Sequence, residues 1–348
     1  VRPLFFLGEP LTTRDGYLLA ITDDSGSTGY GECAPLAGYS RESGAEALIY
    51  LRIAAVRLRN ALLNNVHHLS QAKAIASEVD VPSSVLFAVE SALLTLGAQL
   101  AKKPAASLLN EQYSPTVEIN ALVESTDNLE TRLTTLVAGG CRAVKLKVGR
   151  RSLAEDIAGV RQVRTLLPTS VTLRLDANRA WSLDDAVTFA RGIRDCQIEY
   201  VEEPLTDSSG LADLHRREPQ FPLAIDESVR GLSLDQMWSA DYVRAVIIKP
   251  TIVGGIARTL EIVRVCRESG KTPVISGLIE SSLGLAVLAH VASASNLEVP
   301  IGLDTARLFA SDLIMPALPL KNHVIDIARL YADGFTINRA QIEEVSLE

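Results

Sequence analysis

Beyond about Gln112, short runs of apolar, β-branched residues alternate with longer stretches in which apolar positions return every three or four residues. That alternation is expected of βα units. The runs Val117–Leu122, Ala143–Val148, Val171–Leu175, Ile198–Val201, Pro222–Ile225, Ala245–Ile248, Pro273–Ile275 and Val299–Leu303 predict eight strands. Leu153–Leu167, Leu183–Arg194 and Ile256–Ser269 predict helices between them. Eight strands with their helices over roughly 200 residues fit a (β/α)8-type barrel better than an open sheet.

The first part of the chain has another rhythm. Tyr17–Asp23 and Thr28–Glu32 predict strands around the turn Asp24-Ser25-Gly26-Ser27. Glu42–Leu63 and Ser83–Leu100 predict helices, and the second places Val85, Ala88, Val89, Ala92 and Leu96 on one face for core packing. The tail returns to strand at Val324–Ile327 and Phe335–Ile337. We expect an α+β domain over residues 1–112, completed by the tail from about 320–348, and a barrel domain over 113–319.

Composition narrows the function classes. The 348 residues are 47% hydrophobic and 22% charged, as in an ordinary globular protein long enough to bury a core without staples. The net charge of −8 argues against a nucleic-acid partner, which needs a basic footprint, and no polybasic run suggests a membrane anchor. No apolar run approaches the ~18 residues that span a bilayer. The start at Val1, with only Leu4-Phe5-Phe6-Leu7 apolar, reads as a trimmed start and too little for a signal peptide. Cys33, Cys141, Cys196 and Cys266 lie far apart and read as isolated thiols in a reducing, cytoplasmic compartment. Of the five histidines only His67 and His68 are neighbours, so no His-rich metal motif is present. The pattern leaves the oligomeric state open.

Barrel active sites sit where strands end, at the C-terminal face. Asp176, Glu202 and Asp226 each follow a predicted strand, 26 and 24 residues apart, about one βα unit each. Any one of them alone is as readily a helix N-cap. All three in register converge on one point, where like charges repel strongly unless a hard cation such as Mg²⁺ joins them. In Lys145-Leu146-Lys147, strand alternation sends both ammonium groups to the barrel interior. Lys249 ends the sixth strand on the other side of the mouth. A lysine held beside a cation can act as a general base, and a carbon acid between lysine and Mg²⁺ is arranged to form an enolate. Glu202-Glu203 is no glycosidase pair, because adjacent strand residues face opposite ways. Gly254-Gly255 suits a tight loop, Ser281 or Ser282 a helix cap, and His290 a packed place on an apolar helix.

At these residues the chain resembles the enolase superfamily, in its muconate-lactonising-enzyme-like subgroup. The motifs are Lys145-x-Lys147, Leu175-Asp176-Ala177-Asn178, Glu202-Glu203-Pro204, Asp226-Glu227-Ser228 and Ile248-Lys249-Pro250. The resemblance implies a (β/α)7β-type modified TIM barrel with an N-terminal α+β capping domain, and a dehydratase that forms an enediolate. It implies Mg²⁺, with Mn²⁺ as a substitute, held by Asp176, Glu202 and Asp226 and supported by Asn178 and Glu203. Lys147 would take the α-proton of a small carboxylate substrate, Lys145 would add positive charge beside the carboxylate, and Lys249 would stabilise the intermediate from the other side. Arg174, Ser276 and Gly302 would line the substrate, and cap loops around Arg14 and Tyr39-Ser40 would close over it.

Two departures touch the pocket: Gly277 follows Ser276 where relatives carry Ser, and Ala37 stands where Pro is common. Gly302-Leu303-Asp304 lacks the Asp-x-Asp of dipeptide epimerases. A racemase on the same scaffold, exchanging one proton between Lys147 and Lys249, is the competing enzyme reading. A non-catalytic metal-binding scaffold is the reading from another class, and the loss of a lysine or carboxylate would have favoured it.

Overall fold

The computed structural model describes residues 4–6, 9–62, 81–124, 128–332 and 334–345. His67, His68 and the predicted helix end at Leu63 lie outside them. Two short strands, β1 (Leu4–Phe6) and β2 (Glu9–Leu11), pair with each other, and β3 (Tyr17–Thr22) and β4 (Thr28–Cys33) form a second hairpin. The Asp23 side chain closes the second turn by accepting from the Ser25 and Ser27 amides, and Gly26 supplies the positive φ of 87°. Helices α1 (Gly44–Leu62), α2 (Ser83–Ala101) and α3 (Ala105–Leu109) follow. A Cβ at Gly31 would lie 1.8 Å from the Ala88 carbonyl oxygen, so glycine lets the backbone of α2 rest directly on β4. Among the described residues one helix has the length and composition of a membrane span: α2, with mean hydropathy 1.5, but 67% of that window is buried within the fold.

The barrel elements come next: β5 (Thr116–Glu118), β6 (Ala121–Val123), α4 (Leu129–Ala138), β7 (Ala143–Lys147), α5 (Leu153–Leu166), β8 (Thr172–Asp176), α6 (Leu183–Gly192) and β9 (Ile198–Glu202). Then follow α7 (Leu211–Arg217), β10 (Leu223–Ile225), α8 (Leu234–Ser239), β11 (Val243–Ile248), α9 (Pro250–Val253), α10 (Gly255–Glu268), β12 (Thr272–Ile275) and α11 (Ser282–Ala294). Strands β6 to β12 form one seven-stranded parallel sheet in chain order. Serines start the helices locally: Ser152 with Glu155 and Ser233 with Gln236 form capping boxes, and Ser281 caps α11. The core is the layer between the strands and these helices.

Three strand expectations change. Residues 117–122 are not one strand: β5 pairs antiparallel with the tail strand, while β6 joins the barrel, because the Ile119 amide donates to the His323 carbonyl and the Asn120 amide to the Ile301 carbonyl. The eighth strand, 299–303, reduces to bridges from Ile301 to Ile119 and from Gly302 to Ser276, which close the ring. Pro300 has no N–H to give a ladder there. In the tail, β13 (Ile314–Met315), β14 (Val324–Asp326), α12 (Ile327–Ala332) and β15 (Thr336–Ile337) place Ile327 in a helix, its apolar side chain buried beside Ile325 and Leu330. β14 pairs with β5, whereas Phe335 sets its ring 6.2 Å from Tyr30 of the cap hairpin.

Candidate active site

The register of three neighbouring strands arranges the charged groups in two rows. Lys147, Asp176 and Glu202 lie side by side across β7, β8 and β9, and Lys145, Arg174 and Tyr200 form the row two residues deeper. Strand alternation gives both rows one face. The Lys147 ammonium donates to Asp176 Oδ2 at 2.6 Å and to Asn178 Oδ1 at 2.7 Å. The Lys145 Nζ reaches up from the deeper row to bridge Asp176 Oδ2 at 3.0 Å and Glu202 at 2.7 Å. Across the mouth, Lys249 donates to Asp226 and lies 4.9 Å from the centre of the Tyr39 ring.

These groups perturb one another. Burial works to raise the Asp176 carboxyl, but the Lys145 and Lys147 ammoniums outweigh it and hold it well below the usual carboxylate range. Glu202 goes the other way: burial and the Asp176 charge push it well up. Burial also works against the Lys145 and Lys249 charges, yet the neighbouring carboxylates raise both. Burial pushes the Tyr39 phenol up, so it stays neutral over Lys249.

Asp226 is placed by its neighbours. Glu203 Oε1 accepts from the backbone amides of Asp226 and Ser228, while its Oε2 accepts from Ser228 Oγ and Arg179. Asn178, Arg179 and Glu203 all hold positive φ, at 45°, 61° and 41°. Left-handed backbone at three non-glycine residues is strain that the surrounding bonds maintain, and such strain gathers at functional sites.

The donor set fits a hard divalent cation. Three carboxylates share one mouth, and the buried Glu202 Oε2 faces the Lys145 ammonium at 2.7 Å without a well-aligned hydrogen bond. Among the described residues no three candidate ligands close to metal-binding spacing. Lys145 and Lys249 supply the counter-charge in this arrangement, the first bridging two of the carboxylates and the second holding the third.

The remaining sequence-predicted residues are placed less uniformly. Ser276 Oγ lies 3.2 Å from the Gly302 carbonyl oxygen, where the ring closes. Tyr39 reaches the mouth, but the Ser40 hydroxyl is occupied in accepting from the Leu36 amide. Arg174 was expected beside substrate; the structure encloses it completely, with its guanidinium on Glu199, Asn120, the Pro300 carbonyl and the Tyr200 ring. Arg14 was expected in a closing loop; its guanidinium is a strut, donating to carbonyls of Ala34 and Pro35 in the cap and of Ile279 in the barrel. Sequence reasoning missed Tyr200 and Arg179. Tyr200 stands two residues before Glu202 and so shares its face, a signal that was available. Glu32, near the end of β4, is structural, since it caps α11 through the Ser281 and Gly284 amides.

Residues 128–337 match the family model described as enolase C-terminal domain-like, and residues 3–96 match the MenC N-terminal domain. The chain is 33% identical over 317 residues to o-succinylbenzoate synthase of Pectobacterium atrosepticum, covering 89% of each. It is 31% identical over 350 residues to the chloroplastic protein PHYLLO of Arabidopsis thaliana, spanning 88% of this chain and only 20% of that one. Its fold superposes on the dipeptide epimerase of Enterococcus faecalis V583, complexed with Mg and a dipeptide, with a TM-score of 0.78 at 23% identity over 92% of both chains.

Proposed function

The chain belongs to the enolase superfamily and, within it, to the o-succinylbenzoate synthase family, and from that premise we propose how its residues carry out the family's reaction. The reaction is the syn dehydration of 2-succinyl-6-hydroxy-2,4-cyclohexadiene-1-carboxylate to o-succinylbenzoate, a carbon–oxygen lyase step of menaquinone or phylloquinone biosynthesis. The observation that carries the reading is the row Lys147–Asp176–Glu202, with Lys249 on the opposite side.

Lys147, entering as the free amine, takes the proton α to the ring carboxylate. It then returns that proton to the departing hydroxyl, so one base on one face serves both steps and water leaves. Asn178 and Asp176 hold its Nζ in place. Lys145 adds positive charge beside the substrate carboxylate, and Lys249 faces the ring from the other side and stabilises the charge that develops there. Mg²⁺ held by Asp176, Glu202 and Asp226, with Mn²⁺ able to substitute, would supply positive charge to the carboxylate as the enediolate forms. Asn178 and Glu203 would support that ligand set. Ser276 and Gly302 line the succinyl end, and Tyr39 and Ser40 stand on the loop that closes over the mouth.

We read residues 1–112, with about 320–348, as the cap and 113–319 as the barrel. The Phe335–Tyr30 contact supports the tail's share in the cap, although β14 pairs on the barrel side. The four buried free cysteines suit a reducing, cytoplasmic setting. Two lysines on opposing sides also favour a second reading, racemisation of N-acylamino acids by exchange of one α-proton.

Ultraviolet absorbance of the protein with the cyclohexadiene substrate and Mg²⁺ tests the first reading. Aromatisation that EDTA abolishes and Lys147→Ala lacks is the expected result. An unchanged substrate, together with solvent deuterium entering N-acylamino acids, would replace the dehydratase by the racemase.

A further inference from the structure

Behind the loop that carries Ser40, a cavity of about 330 Å³ lies at the seam between cap and barrel. None of the catalytic lysines or candidate metal ligands lines it. Arg41 and Glu42 contribute from the loop before α1, Glu46 from α1, Arg230 from the turn after β10, and Arg258 from α10. The hydrocarbon wall includes Val229, Leu232, Met237 and Ile262.

The charges in this cavity are not balanced within it. Glu42 accepts from the Ser84 amide and hydroxyl, and Glu46 from the Ser43 amide and hydroxyl. Arg258 is paired with Glu261 at 3.1 Å. Arg41 and Arg230 have no hydrogen-bond or ion-pair partner among the described residues. Arg230 is half-buried; burial first, then the Arg41 charge, lower its pKa, while the Glu42 and Glu227 charges offset part of that. Arg41 is exposed, so the two guanidiniums meet at a partly solvated rim where neither is neutralised by a direct ion pair among the described residues. This occurs in a chain of net charge −8, so the positive cavity is local and not a share of general basicity.

The form of the cavity selects the anion. Guanidinium forks match carboxylate oxygens in bidentate fashion, and an apolar wall suits a hydrocarbon body between charged ends. The volume is at the small end for ligand sites. We propose that this seam cavity is a second binding site, for a small organic dianion carrying two carboxylates on a hydrocarbon body, anchored by Arg41 and Arg230. Two sources supply that chemistry: o-succinylbenzoate, whose relevance rests on the function proposed above, and free aliphatic dicarboxylates such as succinate, which do not depend on it.

Calorimetric titration of the Mg²⁺-loaded full chain with each compound separates these. Wild type is expected to bind o-succinylbenzoate at two sites and the double variant Arg41→Ala/Arg230→Ala at one. Succinate affinity is expected to fall about tenfold or more in that variant. Arg41→Lys/Arg230→Lys, which keeps the charge without the forks, should fold as wild type and fall between them. Equal binding by wild type and the alanine variant overturns the site, as does displacement of succinate by equimolar inorganic phosphate. Failure of o-succinylbenzoate to bind anywhere, with succinate still lost in the alanine variant, would instead sink the dehydratase reading and leave the seam site standing.

Discussion

The two halves of the barrel interior are built from opposite chemistry. On β7, β8 and β9 the inward positions are Lys145, Lys147, Arg174, Asp176, Tyr200 and Glu202. On β10, β11 and β12 they include Ala224, Ala245, Ile247 and Val274, a small apolar cluster under Tyr200. Charge is densest on the first wall; on the second it returns only at the strand ends, where Asp226 follows β10 and Lys249 follows β11, above the apolar cluster. Burial strengthens every interaction in the charged row, and the partners set the direction: Lys145 and Lys147 hold Asp176 down, while burial and the Asp176 charge push Glu202 up. Reactivity here comes from the contrast between the walls, and each can be altered separately.

The largest effect is expected on the charged wall. Glu202→Gln keeps the shape but removes one of three carboxylates, the one that Lys145 bridges to Asp176. We expect kcat/KM to fall on the order of 10²–10³-fold or more, with Mg²⁺ affinity falling alongside. Steady-state kinetics and a metal titration check both. Unchanged metal affinity would remove Glu202 from the ligand set.

The apolar side carries its own titrating group. His290 is buried in α11 with no hydrogen-bond partner for Nδ1, and burial lowers its pKa from 6.5 to about 4. The unfolded chain therefore takes up the proton first as pH falls. Its contribution to stability is fully present above about 6.5, declines below that, and is lost by about 4. The full difference is ~3 kcal/mol. Chemical denaturation of wild type and His290→Leu at pH 7.5 and 4.5 isolates it, because other groups cancel in the difference. A difference that does not change with pH would mean that His290 is not held neutral.

Much of this contrast was legible in the chain. The spacing of Asp176, Glu202 and Asp226 and the alternation of Lys145 and Lys147 place the charged wall from local rules alone. What local rules miss are destinations set by distant partners. Arg174 shares a strand face with Asp176, yet its guanidinium turns to the Pro300 carbonyl and Asn120, 126 and 54 residues away. Arg14 reads as a loop cation, yet it bonds carbonyls 20 and 265 residues away. The break at Ile119 has the same origin, since two different partners claim the two halves of one β-branched run.

A smaller effect lies beside the charged wall. Glu203→Gln can still accept from the Asp226 and Ser228 amides through its remaining oxygen, but its new NH₂ would face the Arg179 guanidinium. Supporting residues around metal ligands cost about 10- to 100-fold when altered. We expect that range in kcat and in Mg²⁺ affinity, and an added Arg179→Met to recover part of it, since the clash is then removed. No recovery would assign the loss to the acceptor side.

The smallest effect should fall on the apolar wall. Ile247 is fully enclosed among Tyr200, Ala224, Ala245 and Val274. Ile247→Val removes one methylene and leaves a gap that the rigid strands around it close only in part. The expected loss is about 0.5–1.5 kcal/mol of stability, read from urea denaturation, with kcat/KM within about twofold of wild type because no hydrogen bond or charge is touched. A variant of normal stability but low activity would mean that this wall sets the position of the lysines directly. One of lower stability and normal activity keeps its role to that of a dry, replaceable backing for the charged row.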